Sequence, residues 1–185
     1  MNQILAPSFE VNRKVLALAA KVKLLLFDVD GVLTDGRLYL SDNGEEMKAF
    51  STRDGQGIKL LREAGIAVGV ITARSSRVVE RRARELGIEL LRQGASDKAG
   101  VLAELLSGQN LQASEAGYMG DDLADLPVLM RCGFAATVQS APEVVRTRVH
   151  YVARAAGGEG AAREVCEFIL TAQNALEHAI ARYLA

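Results

Sequence analysis

The middle of the chain alternates short apolar runs with stretches of helical periodicity. Val22–Asp28, Ile66–Thr72, Glu89–Arg92, Gly117–Met119, Gly133–Thr137 and a short run near Tyr151 predict strands. Strands with few polar interruptions are buried on both faces, as in a parallel sheet. Between them, GQGIKLLREAG, SSRVVERRARELG, DKAGVLAELLSG, DLADLPVLMRCG and APEVVRTR read as helices, several closed by glycine, the usual residue past a helix C-terminus. The alternation predicts an α/β fold, a parallel sheet flanked by helices. Ser8–Lys21 reads as an amphipathic helix ahead of this block. Behind it, Ala161–Leu184 carries Val165, Phe168, Ile169, Ala172, Leu176 and Ile180, mostly three or four apart, as one apolar stripe. One piece breaks the alternation: in RLYLSDNGEEMKAF, Arg37–Phe50, two strand-like runs flank Asn43-Gly44. That pair predicts a hairpin closed by a two-residue turn.

A chain of 185 residues with 49% hydrophobic content fills one good core. The reading is therefore one domain over residues 1–185, with a hairpin flap at about 37–50 and a C-terminal tail and helix at about 157–185. A net charge of −1 without basic or acidic tails gives no field for nucleic acid. Cys132 and Cys166 have no CxxC or CxxH neighbours and read as buried thiols of a reducing compartment. The apolar runs are too short for a membrane span or a signal segment. The expectation is a soluble, cytoplasmic protein.

The candidate chemistry sits where the predicted strands end. In LLLFDVDGVLTDG, alternation along a strand would project Asp28 and Asp30 together from its carboxyl end, the end at which open α/β sheets bind ligands. Two adjacent carboxylates repel, which raises one pKa or recruits a cation. AVGVITAR ends in Thr72, GASDK places Lys98 at a helix start, and GYMGDD ends in Asp121 and Asp122. Each alone is also a cap or a surface residue; it is their order that carries information. Asp35 reads as a turn residue at the start of the hairpin.

The series FDVDG, ITAR, SDK and GDD, spanning about Val22–Asp125, resembles the four motifs of the haloacid dehalogenase superfamily. The resemblance implies a Rossmann-like sheet and phosphoryl transfer through an aspartyl-phosphate, which splits one hard step into two. It makes Asp28 the nucleophile and Asp30 the general acid and base. Magnesium would be held by Asp28, the main-chain carbonyl of Asp30 and Asp121, with Asp122 and Asp125 supporting from behind. Thr72 and Lys98 would bind the phosphoryl oxygens, with Ala73 and Arg74 beside them.

The Arg37–Phe50 hairpin is the only insertion where this superfamily carries a cap, and Thr72 runs straight into the next helix. No full cap domain is expected, so the site stays open in one chain unless another subunit closes it. DVDGVLTDG, FSTRDGQGIKLL and AGGEGAAREVCEFIL resemble a capless subfamily of sugar-acid phosphatases. That likeness implies an eight-carbon sugar acid 8-phosphate as substrate, a role in lipopolysaccharide precursor synthesis, and a homotetramer whose tail near Gly157–Gly160 reaches a neighbouring site. Arg53 and Gly55 would contact the substrate, since a guanidinium fork suits a carboxylate; the competing reading pairs Arg53 with Asp54 or Glu46. Glu159 and Ala73 depart from the basic residue and the glycine that relatives often carry there. Arg77, Arg81, Arg82 and Arg84 read as a solvated basic face. Two other classes stay open: the same chemistry on a nine-carbon sugar acid 9-phosphate, and a receiver-like or catalytically silent oligomeric module.

Overall fold

The computed structural model describes residues 13–184. In chain order the elements are α1 (Arg13–Ala19), β1 (Leu24–Phe27), β2 (Tyr39–Leu40), β3 (Glu46–Met47), α2 (Thr52–Glu63), β4 (Ala67–Ile71), α3 (Arg77–Glu85) and β5 (Leu90–Arg92). They continue with α4 (Lys98–Gln109), β6 (Ala116–Met119), α5 (Leu126–Leu129), β7 (Phe134–Val138), α6 (Glu143–Arg146), β8 (Tyr151–Ala153), α7 (Ala161–Ala172) and α8 (Leu176–Ala181). Six strands form one parallel sheet in the order β5-β4-β1-β6-β7-β8. The apolar runs explain this: Leu24, Leu25, Leu26 and Phe27 of β1 are fully buried, as a central strand covered on both faces requires.

Strand order reverses direction around β1, with β4 on one side and β6 on the other. The carboxyl ends of these strands therefore flank the crevice in which such sheets place ligands. Helices begin where side chains satisfy their first amides: Ser51 caps α2 through Arg53 N–H at 3.2 Å, and Asp97 caps α4 through Gly100 N–H at 2.9 Å.

The hairpin forms a separate two-stranded sheet, with Tyr39 opposite Met47 and Leu40 opposite Glu46. Its turn is longer than predicted. Ser41 N–H donates to Glu45 O at 3.0 Å and Gly44 N–H to Ser41 O at 2.9 Å, so Asp42, Asn43 and Gly44 form a three-residue loop. Gly44, at φ 76°, takes the left-handed position that ends such a loop. The helix read from DLADLPVLMRCG is a 3-10 turn, Leu123–Asp125, that runs into the single turn of α5. The C-terminal stripe is interrupted after α7, where Asn174 turns the chain at φ 57° and a second short helix begins. Of the expected Ser8–Lys21 helix, residues 8–12 lie outside the described residues.

Candidate active site

Each motif lands at the carboxyl edge of the sheet. Asp28 follows β1 and extends its ladder, donating its N–H to Met119 O at 2.9 Å. Thr72 follows β4 and is buried, its N–H donating to Arg92 O at 2.9 Å. Lys98 opens α4, and Asp121 and Asp122 follow β6.

The centre is a buried ion cluster. Lys98 Nζ lies 2.9 Å from Asp28 Oδ1 and 2.7 Å from Asp125 Oδ1. Burial pulls this ammonium down, but the two carboxylates outweigh it and hold Lys98 above its ordinary value. Burial, then the charge of Asp125, pushes Asp28 up to about 6 against the pull of Lys98. Burial, then Asp125 and Asp28, pushes Asp121 up to about 7. Near neutral pH these groups hold their charges at a cost, which a cation would relieve.

Oxygens of Asp28, Asp121 and Asp125 lie within 4.8 Å of one another. They are not equivalent. Both oxygens of Asp125 are occupied: Oδ1 accepts from Tyr118 OH at 2.5 Å and from Lys98, and Oδ2 accepts from the N–H groups of Asp121 at 2.9 Å and Asp122 at 3.1 Å. Asp121 Oδ1, by contrast, is buried and accepts no hydrogen bond. Such an orphan is costly unless a bound cation completes it. An all-oxygen donor set suits a hard cation such as magnesium. Asp122 is exposed and caps the 3-10 turn through Leu123 N–H at 2.7 Å.

Asp28 and Asp30 do not share a strand face. β1 stops at Phe27, and the chain turns at Gly31, φ 91°, whose missing Cβ leaves room for the Asp121 carboxylate. Thr34 Oγ1 fixes the turn, donating to Val29 O at 3.3 Å and accepting from Gly31 N–H at 3.4 Å and Gly36 N–H at 3.2 Å. Asp28 thus faces Lys98, while Asp30 faces Lys48 of the hairpin and Arg74, whose Nε is 3.7 Å away. Ala73 is exposed beside them. Lys48 was not among the residues the sequence singled out. Its only local signal was position, two residues after Glu46 on an extended segment.

The other candidates divide. Arg53 is exposed and forms no ion pair among the described residues. Asp54 is buried and turned away, accepting from Arg163 N–H at 2.8 Å and Gly160 N–H at 3.3 Å, where it caps α7. Gly55 lies beneath Arg82, where a Cβ would be 3.1 Å from Leu86 Cδ2. Arg82 departs from the solvated face: it packs over the Phe50 ring at 5.9 Å and donates to Ser51 O at 3.2 Å, while Arg77, Arg81 and Arg84 are exposed. Asp35 is a turn residue, accepting from Arg37 N–H at 3.0 Å and Tyr39 OH at 2.7 Å.

The tail segment sits against this chain's own loop. Gly158 N–H donates to Val32 O at 3.0 Å, and Gly157 packs so closely on Gly31 O that no Cβ fits. Glu164 of α7 anchors the segment from behind, accepting from Tyr151 OH at 2.7 Å and from the N–H groups of Arg154 and Ala155 at 3.1 Å. Glu159 is exposed. Among the described residues, no helix is long and apolar enough to cross a membrane.

A parallel sheet whose first and central strand ends in the DxD loop, with a lysine and a late acidic pair closing on it and a hairpin in place of a cap, defines a haloacid dehalogenase-type hydrolase. Known structures agree: the chain superposes on a HAD superfamily (subfamily III A) hydrolase from Legionella pneumophila with a TM-score of 0.90 and 41% identity, covering 93% of this chain and 94% of that one. It is 46% identical over 165 residues to the 3-deoxy-D-manno-octulosonate 8-phosphate phosphatase KdsC of Yersinia pestis, covering 89% of this chain and 88% of the relative. The Moraxella catarrhalis phosphatase of the same name, crystallised with magnesium, phosphate and KDO, is 40% identical with a TM-score of 0.92 over 94% of this chain and 99% of that one. No family model matches the chain. The chain belongs to the 3-deoxy-D-manno-octulosonate 8-phosphate phosphatase family of the haloacid dehalogenase superfamily.

Proposed function

We propose that this protein is a magnesium-dependent phosphatase that hydrolyses 3-deoxy-D-manno-octulosonate 8-phosphate to the free sugar acid and phosphate, in lipopolysaccharide precursor synthesis. The observation that carries the reading is the buried Asp28–Lys98–Asp125 cluster beside the unpartnered Asp121 oxygen. It combines a nucleophile, a fixed cation and a carboxylate oxygen with no hydrogen-bond partner at one strand edge. Asp28, the Asp30 carbonyl and Asp121 would hold magnesium, which when bound supplies charge neutralisation and polarises the phosphoryl group.

Asp28 attacks phosphorus, and the bond from phosphorus to the sugar oxygen breaks. The Asp30 carboxyl proton passes to that oxygen, releasing the sugar acid as an alcohol and leaving an aspartyl-phosphate. The Asp30 carboxylate then takes a proton from water, whose oxygen attacks phosphorus, freeing phosphate and restoring Asp28. Thr72 and Lys98 steady the phosphoryl oxygens through both steps. Arg74, Ala73 and Arg53 border the sugar side, with Arg74 nearest the chemistry, while Gly55 lies buried beneath Arg82.

The working form is a cytoplasmic homotetramer in which another subunit closes the open site. Two buried, free thiols and an open site under a small hairpin support this. Phosphate release from the octulosonate 8-phosphate, a nine-carbon sugar acid 9-phosphate and hexose phosphates, with magnesium and with chelator, tests the reading. Magnesium-dependent preference for the eight-carbon ester is expected. Preference for the nine-carbon ester would move the substrate, and no release from any ester would leave a silent scaffold.

A further inference from the structure

Lys48 is the most deeply buried charged group contributed by the flap. Its side chain is 2% exposed, although the residue as a whole is half-buried and the neighbouring Met47 and Leu40, across the hairpin, are exposed. Glu46 and Lys48 are two apart on an extended segment, so they share the inward face while Met47 points out. Lys48 Nζ pairs with Asp30 Oδ1 and lies 3.3 Å from Glu46 Oε1. Arg74 spans the same two carboxylates, with Nε 3.7 Å from Asp30 Oδ2 and Nη2 3.0 Å from Glu46 Oε1. The four groups form a ring of alternating charge whose buried cation is Lys48 and whose half-exposed cation is Arg74.

We propose that Lys48 is a positioning residue for the carboxyl group of Asp30, locking its orientation toward the leaving-group oxygen and tying the flap to proton transfer. The inference rests on the phosphatase reading above. Burying an ammonium is costly unless its partners are well placed, and the partners that Lys48 Nζ meets are the Asp30 and Glu46 carboxylates. Asp30 needs such a partner because it lies in the turn after β1 rather than in the strand, and no backbone ladder sets its side-chain direction. Lys48 itself exchanges no proton; it fixes the oxygen through which Asp30 gives a proton to the departing alkoxide and later takes one from water.

The test compares two esters in the parent, K48M and K48R, with magnesium throughout. A sugar alkoxide needs a proton to leave, whereas p-nitrophenolate leaves without one. Under single-turnover conditions, which read leaving-group release before the shared aspartyl-phosphate is hydrolysed, K48M should slow sugar-acid release from the octulosonate 8-phosphate by about 10- to 100-fold and p-nitrophenol release by less than ~3-fold, with KM within ~3-fold. K48R, which keeps a cation, should restore most of the difference between the esters. If K48M does not keep the parent's circular dichroism and melting curve, K48Q carries the same expectation. Equal losses on both esters, a change confined to KM, or no change would overturn the inference while leaving the phosphatase reading intact. A parent that released phosphate from neither ester would overturn both.

Discussion

Replacing Asp121 with Asn should make the metal-free protein more stable at alkaline pH while abolishing its response to magnesium. Burial and neighbouring negative charges raise Asp121 from 3.8 to about 7 in the folded protein. The folded state therefore holds a proton that the unfolded chain releases near pH 4, and stability falls as pH rises from there through about 7. A carboxyl moved from 3.8 to about 7 costs about 4 kcal/mol once ionised, at ~1.4 kcal/mol per pH unit. Solvent reaches the half-buried group and screens part of that field, leaving about 2 kcal/mol. In chelator at pH 5, where Asp121 is protonated and close to Asn in shape and charge, D121N and the parent should unfold together. At pH 8 in chelator, D121N should melt about 4–8 °C higher, using the usual conversion for a chain of this size. Saturating magnesium at pH 8 should raise the parent's melting point and leave D121N unmoved, because the parent's gain is set by ligand binding to the folded state alone. Thermal melts in the four conditions make the measurement. D121N less stable than the parent at pH 8 in chelator, or a magnesium response retained by D121N, would refute the reasoning.

Three further outcomes follow from other contacts. D28N should lose at least about 10³-fold in kcat for phosphate release while keeping the parent's circular dichroism, because it removes the proposed nucleophile. E164A should cost about 2–4 kcal/mol in urea unfolding, since it strands Tyr151 OH and the N–H groups of Arg154 and Ala155. G157A should force the Gly31 turn to move, so turnover should fall by at least about 10-fold. Activity at the parent level in G157A would mean that the tail does not support the nucleophile loop.

Most of the buried aspartate–lysine cluster was legible in the sequence because its identity is local. Each of Asp28, Thr72, Lys98 and Asp121 follows or opens an element whose apolar pattern is clear, and in a parallel sheet all strands deliver their carboxyl ends to one edge. Order along the chain was thus enough to gather residues 93 positions apart. The hairpin was legible for the same reason, since Asn43-Gly44 between two strand-like runs is a local signal. Its loop length was not, because one residue of register depends on how Ser41 and Glu45 pair across the strands.

Only the tertiary structure separated residues of one type by their surroundings. Three aspartates converge, yet Asp125 has its oxygens filled by Tyr118, Lys98 and two backbone amides, and Asp121 has one oxygen empty. Four arginines lie on α3, yet Arg82 alone turns onto Phe50 and Ser51. Lys48 meets Asp30 only because the flap folds back over the turn, and Gly157 reaches Gly31 only because β8 and α7 carry it there. The sequence determined which chemical groups stand at the sheet edge, since backbone periodicity aims whole elements. Desolvation and hydrogen-bond partnership, which decide what each carboxylate or cation can do, are sums over neighbours distant along the chain and exist only once it has folded.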